Sequence, residues 1–227
     1  MRFKDVFSII GPSMIGPSSS HTAGAVRIGR VARQALGGIP TEANIRLYGS
    51  FAETYRGHGT DVALVGGMLD FATDDEAIPD AFHHAEQAGL NIQLYTEKKP
   101  VPHPNTVDLL LRSQADAISI QGCSIGGGNI EILKVNRFPV KFTAMQPTLL
   151  IFHTDRPGMV AEMSGVLRRA GVNIGLMQVV RESRHGKALT VIECDQPPGG
   201  TVLSKIGRME SVSKVRVIDL IGEGGRA

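Results

Sequence analysis

Three short loops hold the residues best suited to do chemistry. The first is Gly16-Pro17-Ser18-Ser19-Ser20-His21-Thr22-Ala23-Gly24. Three hydroxyls, an imidazole and a fourth hydroxyl stand where a loop enters a helix. The start of a helix presents unpaired N–H groups and the positive end of its dipole, so it attracts anions. Hydroxyls add donors that grip a carboxylate or phosphate without burying a charge. Ser20 or Thr22 also suits the role of helix cap. The second loop is Gly57-His58-Gly59-Thr60-Asp61. Its glycines let a ligand approach the backbone closely, and Thr60 or Asp61 suits a cap for the helix that follows. The third is Val101-Pro102-His103-Pro104-Asn105-Thr106, in which two prolines hold the chain extended around His103 and Asn105 offers an amide. Taken singly, the second and third loops read equally well as a capping turn and a rigid connector. Together they place His21, His58 and His103 beside glycine, proline and hydroxyls, which points to convergence on one pocket. A neutral imidazole, with an ordinary pKa of about 6.5, is a general base near neutral pH. His83 and His84 fall within a helical pattern and read as surface residues, and His153 and His185 belong to the second half of the chain.

These loops need elements to position them. Thr22 to Leu36 reads as a helix with Ala25, Ile28, Ala32 and Ala35 on one face, Arg27, Arg30 and Arg33 on another, and Gly37-Gly38 as its stop. Asn44 to Ser50 and Asn91 to Thr96 read as strands, and Asp61 to Phe71 and Pro79 to Ala88 as helices. Val107 to Arg112, Ala117 to Gly122 and Asn129 to Val135 read as further strands. Gly126-Gly127-Gly128 lacks the spacing of a dinucleotide loop and the Lys-Ser/Thr of a P-loop, so it reads as a hairpin turn. Phe3, Val6, Phe7 and Ile10 fit a short amphipathic helix, and the segment from Gly222 to Ala227 reads as frayed.

The clearest boundary is Gln146-Pro147, with Val135 to Met145 closing the unit before it. After it come a strand at Thr148 to Thr154, a turn at Asp155-Arg156-Pro157-Gly158 and a helix marked by Val160, Met163, Leu167 and Ala170, with Pro157 in its first turn. Strands at Val172 to Arg181 and Lys187 to Cys194 follow. Then come a helix at Val202, Leu203, Ile206 and Met209 and a strand at Val212 to Ile221. The order β-α-β-β-α-β is the split unit of ferredoxin-like domains. The expected fold is α+β: a mixed α/β domain over residues 1–146 and a ferredoxin-like domain over residues 148–221.

Hydrophobic residues make up 42% and charged residues 20% of the 227, an ordinary balance for a globular protein. A formal charge of +2 is too small to argue for nucleic acid, and no apolar run is long enough to span a membrane. The N-terminus lacks a secretory pattern, so the expected location is cytoplasmic. Two cysteines, Cys123 and Cys194, offer no disulfide framework and too few thiolates for a metal cluster.

The blocks GPSSSHTAG, YGSFAETYRGHGTD, HPNT and SIGGGNIEI together resemble the β chain of the bacterial iron-sulfur L-serine dehydratases (L-serine ammonia-lyases), over nearly the whole chain. DRPGMVAEMSGVLRRAGVNI resembles an ACT domain, a common amino-acid sensor. The resemblance implies an α-chain partner whose cysteines hold a 4Fe-4S cluster with one iron open to L-serine, acting as a Lewis acid. It implies that Ser18, Ser19, Ser20, His21 and Thr22 line the serine site, with His58, Gly59, Thr60, His103 and Asn105 nearby. His21 is the first candidate base and His103 the second. In the ACT domain it implies effector binding at Asp155, Arg156, Pro157, Gly158, Asn173 and Ile174, or homodimerisation. The first half also resembles the allosteric substrate-binding domain of some serine-pathway dehydrogenases. That leaves a serine-sensing module as the rival expectation.

Overall fold

The computed structural model describes residues 13–221. The expected helix at Phe3 to Ile10 and the tail from Gly222 lie outside the described residues. By contact density the chain divides into two compact units, up to Asn136 and from Arg137 onward. The division falls ahead of the Gln146-Pro147 junction. The reason is the strand Phe138–Phe142: the Lys141 N–H donates to the Gln178 side chain (3.1 Å) and the Thr143 N–H to Glu193 (3.4 Å), both in the second unit.

In the first unit the strands are β1 (Glu42–Tyr48), β2 (Asn91–Glu97), β3 (Thr106–Arg112), β4 (Ala117–Gly126) and β5 (Asn129–Val135). They lie side by side in the order β2-β1-β3-β4-β5. β1 pairs with β2 in parallel, and the other neighbours are antiparallel. A parallel pair needs a long crossover, and here it is helical: α2 (Gly49–His58), α3 (Thr60–Met68), a 3-10 turn at Ile78–Asp80, and α4 (Ala81–Gln87). α1 (Gly24–Leu36) precedes β1 and ends on Gly37 in the left-handed region, φ 93°. Alternate strand residues bury one face of the sheet: Ala43, Ile45 and Leu47, then Val107, Leu109 and Leu111, then Ile118 and Ile120. Ala25, Ile28, Ala32 and Ala35 of α1 are all wholly buried, as their spacing predicts. The arginine side of α1 is anchored rather than free. Arg30 Nε meets Asp70 Oδ1 at 3.1 Å, Arg33 donates to the Met68 carbonyl and Arg27 to the Gly128 carbonyl. The three glycines at 126 to 128 all have positive φ between β4 and β5, the expected hairpin.

Sequence reading misses α2. The segment from Asn44 reads as a strand through Ser50, but the strand stops at Tyr48. Gly49 takes φ 52°, a turn that L side chains resist, and the chain re-enters as a helix. The helix expected from Asp61 to Phe71 runs from Thr60 to Met68, closed by Asp70 at φ 73°.

The second unit contains the ferredoxin-like order β7 (Thr148–Thr154), α5 (Met159–Arg169), β8 (Ile174–Arg181), β9 (Lys187–Cys194), α6 (Gly200–Gly207) and β10 (Val212–Ile218), with β6 (Phe138–Phe142) ahead of it. The antiparallel sheet runs β10-β7-β9-β8. Leu149, Ile151 and Ile192 pack beneath Met159, Met163, Val166 and Leu167 of α5 and Val202 and Ile206 of α6. The helix α5 begins after Gly158 (φ 88°), so Pro157 precedes it rather than occupying its first turn. Met159 therefore takes the buried stripe and Val160 is left 48% exposed. No helix among the described residues is long and apolar enough to cross a membrane.

Candidate functional site

The seryl loop enters α1 through one wide turn, Ser19–Ala23, wound more loosely than an α-helix. Such turns occur often at functional positions. The cap is Ser18, rather than the expected Ser20 or Thr22: its Oγ accepts the His21 N–H at 3.2 Å. Ser19 supplies its carbonyl to the Gly24 N–H. Thr22 points elsewhere, donating from Oγ1 to the His58 carbonyl at 3.0 Å, which fixes the second loop to the first. Gly16 (φ 134°) lies against Thr22 so closely that a Cβ there would come within 2.4 Å of Thr22 Cγ2.

His21 is the centre of the arrangement and is 8% exposed. Nδ1 lies 3.1 Å from Ser20 Oγ and 3.4 Å from Ser18 Oγ, and Nε2 lies 3.1 Å from Ser50 Oγ. The ring meets Phe51 edge-on at 5.2 Å and His58 at 4.7 Å between centroids. Burial, and secondarily the neighbouring His58, hold the His21 pKa below its ordinary value. The imidazole is therefore neutral at physiological pH, the state a base requires.

The loop holding His103 reaches the same neighbourhood through its backbone. The Pro104 carbonyl accepts from the Phe51 N–H at 3.5 Å, and a Cβ on Gly49 would stand 2.6 Å from the Pro104 oxygen. Asn105 donates to the Ser124 carbonyl (3.4 Å) and its carbonyl accepts the Ser124 N–H (3.0 Å). Ser124 Oγ in turn lies against Gly24 at the start of α1. His103 itself bonds within its loop, its Nδ1 accepting the Asn105 N–H at 3.2 Å. Thus the structure joins Ser18, Ser20, Thr22, His21 and His58 directly and holds Asn105 alongside, whereas no hydrogen bond joins His103 to His21.

Gly59, in the left-handed region at φ 65°, turns α2 into α3 and places Thr60 in the interior. Neither Thr60 nor Asp61 caps α3; Asp61 accepts only from the neighbouring Val62 N–H. Among the described residues of this unit, three buried polar atoms have no partner: His58 Nδ1, Thr60 Oγ1 and Ser124 Oγ. Each such atom costs about 1–3 kcal/mol unless something bonds it. Sequence reading misses Ser50, Phe51 and Ser124. Ser50 and Phe51 sit inside YGSFAETYRGHGTD, and Gly49 was the available signal that the strand breaks before them. Ser124 opens the block SIGGGNIEI, which contains the glycine hairpin.

The described residues do not suit an iron-sulfur cluster. Cys123 on β4 and Cys194 on β9 are both buried, and burial pushes the Cys194 thiol up to about 11. No group of three or more His, Cys, Asp or Glu among the described residues is placed to hold a metal.

In the second unit the six expected effector residues separate. Asn173 and Ile174 line a surface hollow of about 610 Å³ with Ser164, Gly165, Arg168 and Arg169. Asp155 to Gly158 lie outside that hollow and are tied locally. Asp155 accepts from Arg181 at 2.9 Å, a bond that holds its carboxyl below the ordinary range, and Arg156 grips both oxygens of Glu162 at 2.8 Å. Asn173 donates to Asp195 at 2.7 Å.

Residues 3–134 match the family described as serine dehydratase beta chain, and residues 147–210 match the ACT domain. A Bacillus subtilis protein described as a probable L-serine dehydratase, beta chain, is 44% identical over 96% of this chain and 99% of its own length. The L-serine dehydratase beta chain of Peptoniphilus asaccharolyticus is 34% identical over 94% and 97%. A D-3-phosphoglycerate dehydrogenase of Synechocystis is 24% identical over 86% of this chain but only 36% of its own. The buried histidine site and its loops thus sit in a chain that belongs to the serine dehydratase beta chain family and ends in an ACT domain.

Proposed function

We propose that this chain is the β subunit of an L-serine dehydratase that converts L-serine to pyruvate and ammonia in the cytoplasm, with a 4Fe-4S cluster held by an α chain. The observation that carries the reading is His21, a buried neutral imidazole bonded only by hydroxyls, beside polar atoms that lack partners. In this reading the α chain's cysteines hold the cluster, and this chain alone is silent. Its own work is binding and proton transfer. Ser18, Ser19 and Ser20, at the positive end of α1, orient the substrate carboxylate. His58 Nδ1 and Thr60 Oγ1 take up its remaining polar groups. His21 accepts the Cα proton, with His103 the second candidate. The electron pair released at Cα forms the double bond as hydroxide departs. The resulting aminoacrylate tautomerises to an imine, which water cleaves to pyruvate and ammonia. The ACT unit, in this reading, binds an effector at Asn173 and Ile174 or pairs two copies of the chain.

The similarity to a phosphoglycerate dehydrogenase favours the rival reading, a serine-sensing module without catalytic residues. Mixing purified α and β chains separates the two. Turnover that requires both chains and collapses in His21→Ala supports the lyase subunit. Full turnover in both His21→Ala and His103→Ala, with only the serine response altered, supports the sensor. Calorimetric titration of the full chain with L-serine tests the ACT reading; no heat and no thermal shift would count against it.

A further inference from the structure

The outer surface of the second unit's helices carries charge that the fold does not neutralise. Two hollows flank α5. The first is the hollow of about 610 Å³ beside Asn173 and Ile174. The second, of about 580 Å³, opens between α5 and α6, bounded by Glu162, Lys205, Arg208 and Met209. Ala161, Gly165 and Arg169 line both. Ala161 and Gly165 stand four residues apart, on one stripe of the helix. Their lack of bulk keeps the ridge between the hollows low, so the two form one trough across α5. A Cβ on Gly165 would meet only Arg169 Nη1, at 3.7 Å. Four exposed cations line the trough, Arg168, Arg169, Lys205 and Arg208, against one carboxylate, Glu162. None of the four makes an ion pair among the described residues. Glu162 is not free to serve them. Arg156 holds both its oxygens at 2.8 Å, and that grip keeps its carboxyl below the ordinary range. Asp195, which accepts from Asn173, lines neither hollow. Arg168, Arg169 and Lys205 stand in last helical turns, where a cation complements the helix dipole. That accounts for each singly. It does not account for Lys205 and Arg208 sharing a hollow with Ala161 and Glu162 of the first turn of α5, the positive end of that helix. Cations gathered there repel one another and the dipole until an anion lies among them.

We infer that this trough binds a small anion carrying two or more phosphate groups. The inference rests on the reading above, in which the ACT unit takes an effector beside Asn173 and Ile174, and it names that effector's class. Three features select the class. A free amino acid needs a partner for its ammonium as well as its carboxylate, and the one carboxylate lining the trough is already held by Arg156. Three of the four cations are arginines, whose planar fork of N–H donors meets two phosphate oxygens at once. The cations stand on both sides of the Ala161–Gly165 ridge, which calls for an anion long enough to span it rather than a single phosphate. No aromatic ring lines either hollow, so nothing stacks a base and the phosphate chain itself carries the recognition. Arg169, common to both hollows, is the cation that reaches the ligand from either side, and Gly165 is the position that leaves room for it.

Titration calorimetry of the full chain at low salt, with inorganic phosphate, pyrophosphate and triphosphate in turn, tests this. Pyrophosphate should bind about tenfold more tightly than phosphate and triphosphate more tightly again, and each affinity should fall as sodium chloride is raised. Arg169→Ala and Arg208→Ala should each weaken pyrophosphate by about tenfold, the loss of one charge-assisted contact. Arg184, an exposed arginine between β8 and β9 that lines neither hollow, is the control, and Arg184→Ala should leave binding unchanged. Gly165→Leu should abolish binding by filling the trough while leaving the urea midpoint no lower than that of the wild type. No heat and no thermal shift with triphosphate overturns the inference. So does an equal loss in Arg184→Ala, which marks a diffuse effect of charge rather than a site. L-serine is titrated in parallel to separate the two readings. Heat from L-serine that disappears in Gly165→Leu, with none from triphosphate, keeps the effector site and overturns the polyanion. Heat from neither removes the effector reading as well.

Discussion

The helices that carry the site touch backbone to backbone, and one methyl group measures how much depends on that. A Cβ on Gly67 of α3 would stand 2.1 Å from the Val26 carbonyl oxygen and 2.9 Å from the Arg30 nitrogen, both on α1. From the other side, a Cβ on Gly29 would stand 2.4 Å from the Leu64 oxygen. Every wall of this contact is main chain, so nothing can rotate away. To restore an ordinary contact the helices must part by roughly 1 Å, which strips packing along their shared face. Overpacking of this kind costs about 1–3 kcal/mol, and rigid walls put it at the upper end. Alanine returns about 1 kcal/mol through its better helix propensity. Gly67→Ala should therefore destabilise the chain by about 2 kcal/mol. Gly57 in α2 is the control, since nothing lies within 4 Å of a Cβ built there. Gly57→Ala should stabilise by about 0.5–1 kcal/mol through propensity alone. Urea unfolding followed by circular dichroism reads both. A Gly67→Ala transition within about 0.5 kcal/mol of wild type would refute the claim that these helices are held at backbone contact.

Other predictions follow from single residues. Asp70→Ala leaves the buried Arg30 guanidinium without its 3.1 Å carboxylate and should cost about 2–3 kcal/mol by the same urea assay. Neither Cys123 nor Cys194 should react with an aromatic disulfide reagent in the native chain at pH 8, and both should react in urea, because both are buried and the Cys194 thiol titrates near 11. Stability should fall as pH drops from 7.5 through the ordinary histidine range. The folded His21 pKa lies below the unfolded value, so the unfolded chain binds more protons there. The urea midpoint of His21→Asn should decline less between pH 7.5 and 5.5; an equal decline would show that other groups carry the effect.

Much of this architecture is legible in residue spacing, because burial enforces period. Ala25, Ile28, Ala32 and Ala35 declare the inner face of α1, and the β-branched runs of the second unit declare a sheet. The failures have local causes. Val160 reads as core only if α5 starts at Pro157; the left-handed Gly158 delays the start and rotates Met159 inward instead. Ser50 reads as the last residue of a strand because Leu47, Tyr48 and Ser50 continue its pattern, and a glycine turn is what converts it to the partner of His21. His21 and His58 are found by their loops, since glycine and hydroxyls around an imidazole survive as a local signal. Their meeting at 4.7 Å is not local. It is produced by Thr22 bonding across to the His58 carbonyl and by the depth of α3 against α1, neither of which leaves a trace in spacing.

Helix α2 holds Ser50 in its first turn and His58 in its last, with Phe51 between them in contact with the same imidazole. A rigid rod that bears on one ring at several points couples those contacts mechanically. Any tilt or slide of the rod alters the hydrogen bond at Nε2 and the neighbouring imidazole together, so main-chain motion sets both with one adjustment. Evolution or an engineer who wants to change one without the other must do it by side-chain replacement.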